Sequence, residues 1–452
     1  MSPINPDMKQ GSSGWNKLPG VIRLLILEAL MQDGCTLSCF ATGSREWQTV
    51  LERHNFARIK LTPLRTVDFG SMIHRNRALV GYIWFCLEVD DYDCTTCAPT
   101  YREITDRDER AEAFIISNTD NCPITTAFQN LFSALSTWDH GGDLTLDISI
   151  YPPNVLVGRG IEQTISDKVW DDPKHGWLPS VPAVITLLLR QQNRRRWKPD
   201  ALAHMLAQFP RLQEVHYEPW REWCSFQGIT DRDYGCLFES VQRCNNDLKR
   251  LVVFGNFNQQ YPVTMIRFQF GIPVSECDSI RKPSPSVNRM ITLASLKLEH
   301  LAASFIVDAG QFFKIEPSWE WPNLTSLALT MLQAAAAAAK RMPQLKTMEI
   351  WNGRKGLAAL FKYQALLPTR QARITWRGTW ILNIEPFVIQ AWEAEQLEEA
   401  RIKSHSDAIH YLMLSSQVIR PISLQQIRIE QKALEGVRTM QHQMNETWEL
   451  TG

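Results

Sequence analysis

A short apolar pattern that recurs along much of the chain constrains its fold more than any other feature of the sequence. The pattern has the form L-x-x-L-x-L, with other aliphatic or aromatic residues tolerated, so alternate side chains point to one face of a short strand. Its seven copies span residues 184–189, 212–217, 248–253, 293–298, 324–329, 345–350 and 424–429. Seven copies exceed what chance alternation gives, so the sequence predicts a repeat architecture.

An apolar residue followed by proline introduces three of these copies at the same offset. Proline can end the preceding helix and begin a strand without removing a ladder hydrogen bond that is needed. The shared junction supports the repeat more strongly than the leucines alone do. The three pairs are Phe209-Pro210, Trp321-Pro322 and Met342-Pro343.

Helical periodicity occupies segments between the copies. Residues 199–208, 230–245 and 331–341 carry apolar side chains at helical spacing. Alternating strands and helices predict an α/β fold whose parallel strands line a concave face and whose helices line a convex one, as in leucine-rich repeats. Most intervals exceed the usual length of about 20–29 residues, so we expect insertions on the loops.

The repeat is least regular toward its end. Only Thr330 connects the copy at 324–329 to the next helix, whereas a parallel crossover normally has a few loop residues on each side of its helix. Either Thr330 caps that helix directly or a connecting segment is missing. In the long interval after residue 350 we expect a degenerate copy near Ile374 to Ile381.

Two strands and a helix are predicted before the first copy. Residues 79–89 alternate as a strand buried on both faces, and we expect them to form the first strand of the main sheet, after a short strand-like exit at residues 59–63. Residues 121–140 have helical spacing and stop at Gly141 and Gly142, and residues 144–150 alternate as the next strand.

Residues 18–52 form a different kind of unit ahead of the repeats. After Pro19, the apolar residues between positions 21 and 30 cover far more than one face of a helix. Further apolar positions at 37–41 and 47–51 predict a second and a third short helix. Three helices in about forty residues make a small core, so we expect the remaining apolar surface to bind a partner.

This unit resembles the F-box, the segment that docks substrate receptors onto the adaptor of SCF-type ubiquitin ligases. The resemblance rests on Leu18-Pro19, the aliphatic helix, Leu37 and the Ser44-Arg45-x-Trp47 spacing, and it departs from the usual F-box at Gly20 and Val21. A three-helix cap on the following domain is the alternative interpretation. The resemblance implies an adaptor-binding surface formed by Leu18, Pro19, Val21, Ile22, Leu25, Ile26, Leu37 and Trp47.

The whole chain resembles filamentous-fungal F-box proteins with degenerate leucine-rich repeats. The predicted fold class is α/β, with a short N-terminal three-helix F-box-like module followed by an irregular leucine-rich-repeat solenoid. The expected divisions are a flexible tail at 1–14, the helical module at 15–58, the repeat domain at 59–430 and a C-terminal helical tail at 431–452.

Charge and hydropathy exclude several classes of partner. The 48 basic residues balance 48 acidic ones, so no net field attracts nucleic acid or an anionic membrane. No apolar run approaches a membrane span, and the polar N-terminus lacks the apolar core of a signal peptide. We therefore expect a soluble protein, cytoplasmic and/or nuclear, that uses neither nucleic acid nor membrane as a partner.

Cysteine usage and motif content argue against catalysis. The ten cysteines are dilute and fall mostly in apolar patterns, which favours reduced, buried thiols. Cys94 and Cys97 have a spacing that suits zinc or redox chemistry, but no second close pair completes four ligands, and acidic neighbours raise the pKa of a thiol. Nucleophile-elbow, P-loop, dinucleotide and zinc-protease motifs are missing from the sequence. We predict no catalytic residue, metal or cofactor.

Three residues are candidates for contacting a target. Arg195 lies in the densest basic cluster, and Trp220 and Trp351 belong to tryptophans grouped where predicted strands end. Tryptophan beside arginine is typical of interface hot spots, but large aromatic rings also fill the layer between helices and strands. Both interpretations stay open from the sequence.

These features predict a non-enzymatic substrate-recognition subunit of an SCF-type E3 ubiquitin ligase. Its F-box would bind a Skp-type adaptor and, through it, a cullin scaffold, while the repeats would bind an unknown protein substrate. The alternative is a repeat scaffold that mediates protein–protein interaction without a ligase. A third hypothesis, an enzyme that uses Cys94 and Cys97, would be tested by a double Cys→Ser substitution.

Overall fold

The computed structural model describes sixteen parts of the chain. They are residues 14–32, 44–88, 118–138, 141–151, 164–165, 178–190, 196–219, 227–244, 247–255, 284–314, 318–330, 339, 341–354, 357–366, 371–378 and 396–401.

Helices and strands alternate through most of these residues. The helices are α1 (Gly20–Gln32), α2 (Arg45–Ala57), α3 (Pro63–Met72), α4 (Asn118–Ser136), α5 (Pro199–Leu206), α6 (Gln227–Cys244), α7 (Pro285–Ser295) and α8 (Ala309–Lys314). The strands are β1 (Arg58–Leu61), β2 (Tyr82–Glu88), β3 (Leu144–Tyr151), β4 (Thr164–Ile165), β5 (Val184–Leu189), β6 (Arg196–Trp197), β7 (Glu214–Tyr217), β8 (Arg250–Phe254), β9 (His300–Asp308), β10 (Ser326–Thr330), β11 (Thr347–Arg354), β12 (Leu357–Leu366), β13 (Gln371–Gly378) and β14 (Gln396–Arg401).

Twelve of the strands form one open sheet in which the spatial order is the sequence order. The order is β1-β2-β3-β5-β7-β8-β9-β10-β11-β12-β13-β14, and β4 pairs with β6 in a small second sheet. Pairing is parallel from β1 to β11, antiparallel from β11 through β12 to β13, and parallel again at β14. The predicted α/β class is confirmed.

Parallel pairing throughout was expected, and this expectation is wrong at the end of the sheet. β11 and β12 are joined by only two residues, which suits a hairpin but is too short for a parallel crossover. β12 carries no L-x-x-L-x-L copy, so the sequence pattern did not indicate it. The degenerate copy expected near residue 374 corresponds to β13, and β14 lies within a charged run.

Two positions in the predicted strand series also need correction. Residues 82–88 form the second strand, because Arg58–Leu61 pairs with them at the edge of the same sheet. The copy at 293–298 lies in the end of α7 and the turn after it, whereas the strand in register is β9, where Leu301 pairs with Leu251. The copy that is in register therefore runs from Leu298 to Ala303. Because its last apolar position is the small residue Ala303, a search for large aliphatic residues does not find it.

The predicted apolar-residue–proline junctions form identical turns. In each, the amide after the turn donates to the carbonyl of the apolar residue three positions earlier, at 3.2 Å for Leu212, 3.4 Å for Leu324 and 3.0 Å for Leu345. Proline occupies the second position of the turn, where its fixed φ is favourable. Val181-Pro182 makes the same turn before β5, at the same offset from the copy at 184–189, and is a fourth example beside the three predicted junctions.

The core lies between the sheet and the helices that connect its strands. One register row of the sheet joins Ile83, Leu146, Leu187, Val215, Leu251, Leu301, Leu327 and Met348. All of these side chains are buried in one apolar cluster with residues of α4, α5, α6 and α7. The helices α5, α6 and α7 contact one another in sequence order, as α3 and α4 do. We call this side of the sheet the helix face.

Two N-terminal helices precede the sheet. Ser44 caps α2, because its hydroxyl accepts a hydrogen bond from the Trp47 amide at 3.3 Å. α1 contacts α2, and Leu27 on α1 and Leu51 on α2 are fully buried. The helix expected at 37–41 lies outside the described residues, so the three-helix module stays a prediction.

Candidate interaction surfaces

The first candidate surface is the apolar side of α1. Val21 is 70% exposed, Leu25 53%, Leu24 45%, Ile22 42% and Ile26 37%. These five side chains, which we call the α1 surface, leave an unusual amount of aliphatic area in water for one helix. Exposed apolar area of this kind is typical of a protein-binding site.

α1 is fixed in place by a small polar and aromatic cluster. Glu46 on α2 forms an ion pair with Arg23 on α1 at 3.2 Å and accepts a hydrogen bond from the Trp15 indole nitrogen, also at 3.2 Å. The rings of Trp15 and Trp47 pack with centroids 4.9 Å apart. Because these contacts use α2 and the turn before α1, they hold the helix while leaving its outer side free.

The predicted adaptor-binding residues divide by exposure. Val21, Ile22, Leu25 and Ile26 belong to the α1 surface, and Pro19 beside them is exposed. Leu18 and Trp47 are half-buried and support the helix, while Leu37 lies outside the described residues.

The second candidate surface is the side of the main sheet opposite the helix face, which we call the polar face. Because side chains along a strand alternate between the two faces, the residues directly before and after each member of the apolar row lie on this face. Its first row runs across eleven strands in continuous register, and all its members except Thr347 are at least partly exposed. The row comprises Arg58, Tyr82, Thr145, Thr186, Glu214, Arg250, His300, Ser326, Thr347, Gln364 and Arg373.

Charged residues interact along the middle of this row. Glu214 lies 2.6 Å from the His216 ring nitrogen and 3.5 Å from the Arg250 guanidinium. Burial favours the neutral carboxyl, but hydrogen bonding to His216 and the nearby positive charges outweigh it and lower the pKa of Glu214. Burial, together with Arg250, lowers the pKa of His300. The centre of the polar face therefore combines a stabilised carboxylate with the Arg250 guanidinium.

Further along the strands the polar face is buried and holds a hydrogen-bonded ion pair. Arg190, directly after β5, pairs with Asp147 on β3, and Tyr82 on β2 donates a hydrogen bond to the same carboxylate. The Arg190 guanidinium also donates to the Tyr82 hydroxyl at 3.1 Å. Burial, with the Asp147 charge, raises the pKa of Tyr82, so the phenol stays a hydrogen-bond donor. This network links three neighbouring strands.

An aromatic cluster lies on the polar face near β9. Trp351 stacks on Phe254 with centroids 6.0 Å apart and meets the edge of Phe305 at 5.0 Å. Phe305 has φ of +59°, and its amide donates to the Thr330 hydroxyl at 2.9 Å. The register of β9 on β10 shifts there, so that Ala303 pairs with Leu329 but Asp308 pairs with the next residue. The strand bulges at Phe305, and Thr330 holds the bulge.

The other predicted contact residues have different outcomes. Trp351 is only 4% exposed and packs in the aromatic cluster, while Arg195, Trp220, Cys94 and Cys97 lie outside the described residues. Trp197, beside the basic cluster, is buried, and its carbonyl accepts a hydrogen bond from Tyr217 at 2.7 Å. Within the described residues, no group of three or more histidine, cysteine, aspartate and glutamate side chains is arranged to bind a metal.

Sequence reasoning missed the polar face as a connected surface. A usable signal existed in β3, where Asp147 takes a polar position in a regular alternation and must therefore face away from Leu146 and Ile148. The partners of Asp147 could not be inferred, since Tyr82 and Arg190 are 65 and 43 residues away in sequence.

The fold and these surfaces define an open-sheet α/β protein with an exposed apolar helix ahead of a sheet whose second face is polar. Residues 243–420 match the profile of a family of unknown function (DUF6546). This segment, well under half of the chain, contains β8 to β14 and the bulge at Phe305. A comparison with curated proteins found no match. Of the helices that the structure describes, none combines the length and hydrophobicity needed to span a membrane.

Proposed function

We propose that the protein is the substrate-recognition subunit of an SCF-type E3 ubiquitin ligase. The α1 surface would bind a Skp-type adaptor, which connects to a cullin scaffold, and the sheet would bind a protein target. The observation that carries this proposal is the exposure of five large aliphatic side chains on α1 while Leu27 and the Glu46 contacts hold the helix. Such an arrangement presents a preformed apolar surface to a partner.

We also propose that the main sheet belongs to an irregular leucine-rich-repeat solenoid. Three features support this: the strand order follows the sequence, leucines recur at one register row, and identical proline turns precede β7, β10 and β11. In a solenoid each unit contacts mainly its neighbours, so a long surface is built from short local elements. The polar face would be the receptor surface.

The proposed mechanism is proximity rather than bond chemistry by this chain. Holding a target on the sheet while α1 is bound to the adaptor would raise the effective concentration of target lysines near a ubiquitin-conjugating enzyme. The requirement on this chain is a fixed geometry between its two surfaces. α2 runs directly into β1 at Ala57 and Arg58, which leaves no flexible linker between helix and sheet.

Adaptor binding is the direct test. We expect Val21→Glu with Leu25→Glu to weaken binding of a purified Skp-type adaptor by at least about tenfold, because each substitution places a charge in an apolar interface. Affinity can be measured by isothermal titration calorimetry with the full-length chain. Failure of the wild-type chain to bind the adaptor would refute the ligase proposal.

A matched control separates specific docking from general loss of apolar surface. Leu64 and Val67 on α3 are 89% and 75% exposed, more than any member of the α1 surface. Leu64→Glu with Val67→Glu should leave adaptor affinity within about twofold of wild type. Equal losses in both double variants would argue against α1 as the docking site.

A repeat scaffold without a ligase is the second candidate function. It is favoured by the burial of Leu27 and Leu51, since α1 and α2 could simply cap the first strand of the sheet. A cap predicts that the two glutamates on α1 have no effect on any binding partner recovered with the protein. Absence of adaptor from wild-type affinity purifications, with other partners retained, would favour this scaffold.

A further inference from the structure

The first edge of the sheet carries two cations set over aromatic rings. Arg58 and Lys60 alternate on β1 and point to the polar face, where their charged groups lie 5.3 Å from the centre of the Tyr82 ring and 5.1 Å from that of Trp84. Both cations are exposed and both rings are at least partly accessible. We call these four residues the edge patch.

The rings of the edge patch are held by hydrogen bonds at their polar ends. Tyr82 donates to Asp147, and the Trp84 indole donates to the Ser149 hydroxyl at 3.0 Å. Fixed rings restrict the cations stacked on them, so less side-chain entropy is lost when a ligand binds. The patch is therefore preorganised.

The charge of the edge patch is not neutralised locally. Among the described residues, Arg58 and Lys60 form no ion pair with a carboxylate. In the first two register rows across β1, β2, β3 and β5 the one carboxylate is Asp147, which is buried against Arg190. A ligand that binds here is expected to be acidic.

The backbone of β1 is the second feature of this edge that could bind a ligand. It is the terminal strand of the sheet and, within the described residues, pairs only with β2. An open depression lined by His54, Asn55, Ala57 and Arg58 lies at its amino end. A free strand edge is a site where an extended polypeptide can add by main-chain hydrogen bonds.

We propose that the edge patch binds an extended acidic segment of a partner protein, which adds to β1 as a further strand with carboxylates at alternate positions. Cross-strand pairing would set those carboxylates beside Arg58 and Lys60, which are two residues apart as the pleat requires. A second copy of this chain does not suit the site, because β1 against β1 would oppose cations to cations. The inference rests on the proposed role of the sheet as the target-binding part.

Nucleic acid fits the site less well than a peptide. Two cations cannot follow a phosphate backbone over several nucleotides, and the chain has no net positive charge. A strand edge also supplies amide and carbonyl groups at the spacing of a polypeptide and not of a phosphodiester chain. The test therefore includes an oligonucleotide as a competing probe.

The experiment uses the full-length protein without adaptor and a fluorescein-labelled peptide of about ten residues that alternates glutamate and threonine. Fluorescence anisotropy should show saturable binding at low salt. Arg58→Glu with Lys60→Glu should weaken this binding by about tenfold or more, and Arg58→Gln with Lys60→Gln by less. The matched control is Arg53→Glu with Arg65→Glu, which reverses two exposed cations on α2 and α3 and should change affinity by less than about twofold.

Three outcomes would overturn the inference. They are equal weakening by the control pair, equal binding of a peptide that carries prolines at both odd and even positions and so cannot complete the ladder, and tighter binding of oligothymidylate through Arg58 and Lys60. A thermal melt of each variant establishes that it is folded. Adaptor affinity of the Arg58→Glu, Lys60→Glu variant should be unchanged, and absence of peptide binding to a wild-type chain that still binds adaptor refutes this inference alone.

Discussion

Phe305 shows how one residue can be held in a conformation that its side chain disfavours. At φ of +59° a residue with a Cβ is strained, and glycine is the usual occupant. Two contacts hold Phe305 in this conformation. The Phe305 amide donates a hydrogen bond to the Thr330 hydroxyl, and the Phe305 ring packs against Phe254 and Trp351. The aromatic contacts therefore offset the backbone strain.

This balance predicts that glycine and alanine variants at Phe305 rank in stability in the reverse of the order usual in a strand. Phe305→Gly and Phe305→Ala both remove the ring, but only alanine keeps the strain, so the glycine variant should be more stable by about 1 kcal/mol. Urea unfolding followed by circular dichroism would measure the difference. At Phe254, which has ordinary strand geometry, Phe254→Gly should instead be less stable than Phe254→Ala by about 0.5–1 kcal/mol. The same order at both positions would contradict strain at Phe305.

Among the elements, the apolar-residue–proline turn is the unit that repeats most faithfully. Phe209, Trp321 and Met342 are buried, while their prolines stand at the second position of the same hydrogen-bonded turn. The amide of the residue after each turn leucine also donates to a carbonyl at or just before the start of the preceding strand of the sheet, as Thr325 does to Glu299 at 2.8 Å. The turn thus fixes where the next strand begins and in which register it pairs.

Because proline already restricts the unfolded chain, its replacement should cost stability without breaking a native contact. Each of Pro210→Ala, Pro322→Ala and Pro343→Ala should lower the free energy of unfolding by about 0.4–1 kcal/mol. The sites are in separate turns, so the triple variant should lose close to the sum, about 1–3 kcal/mol. Differential scanning calorimetry and urea titration would measure it. Asn323→Ala and Gln344→Ala, one residue further along two of these turns, serve as controls and should change stability much less.

For the whole molecule, the sequential strand order makes interactions local. Each strand of the main sheet pairs with strands adjacent in sheet order, and the helices α5, α6 and α7 contact the next helix along the chain. Stability in such an arrangement is close to a sum of unit and nearest-neighbour terms. A destabilising substitution at one end of the sheet should therefore have little effect on the stability of the other end.

Hydrogen exchange read by mass spectrometry can test this locality. Met348→Ala in β11 and Ile148→Ala in β3 each remove a fully buried side chain, at a cost of about 2–5 kcal/mol. Met348→Ala should lower amide protection in β10 and β12 far more than in β2, and Ile148→Ala should do the reverse. Uniform loss of protection along the sheet in either variant would instead show a single cooperative unit.

The sequence by itself determined many of the local elements of this protein. Alternation in residues 144–150, the buried residue before each proline and the helical spacing of residues 199–208 follow from side-chain periods of two and 3.6, which act within a few residues. The unusual hydrophobicity of residues 21–30 likewise indicated surface left uncovered, and five of those side chains are exposed. The F-box assignment and its adaptor remain a proposal.

Only the tertiary structure decided which polar residues share a surface. Glu214, Arg250 and His300 lie on three strands up to 86 residues apart, and their meeting depends on strand register, which is set by pairing with neighbours and not by the strand alone. The bulge at Phe305 and the antiparallel pairing of β12 likewise depend on how neighbouring strands pair. A one-residue shift in register would exchange the polar face for the core, so the apolar pattern fixes the buried side of each strand while pairing fixes the surface opposite it.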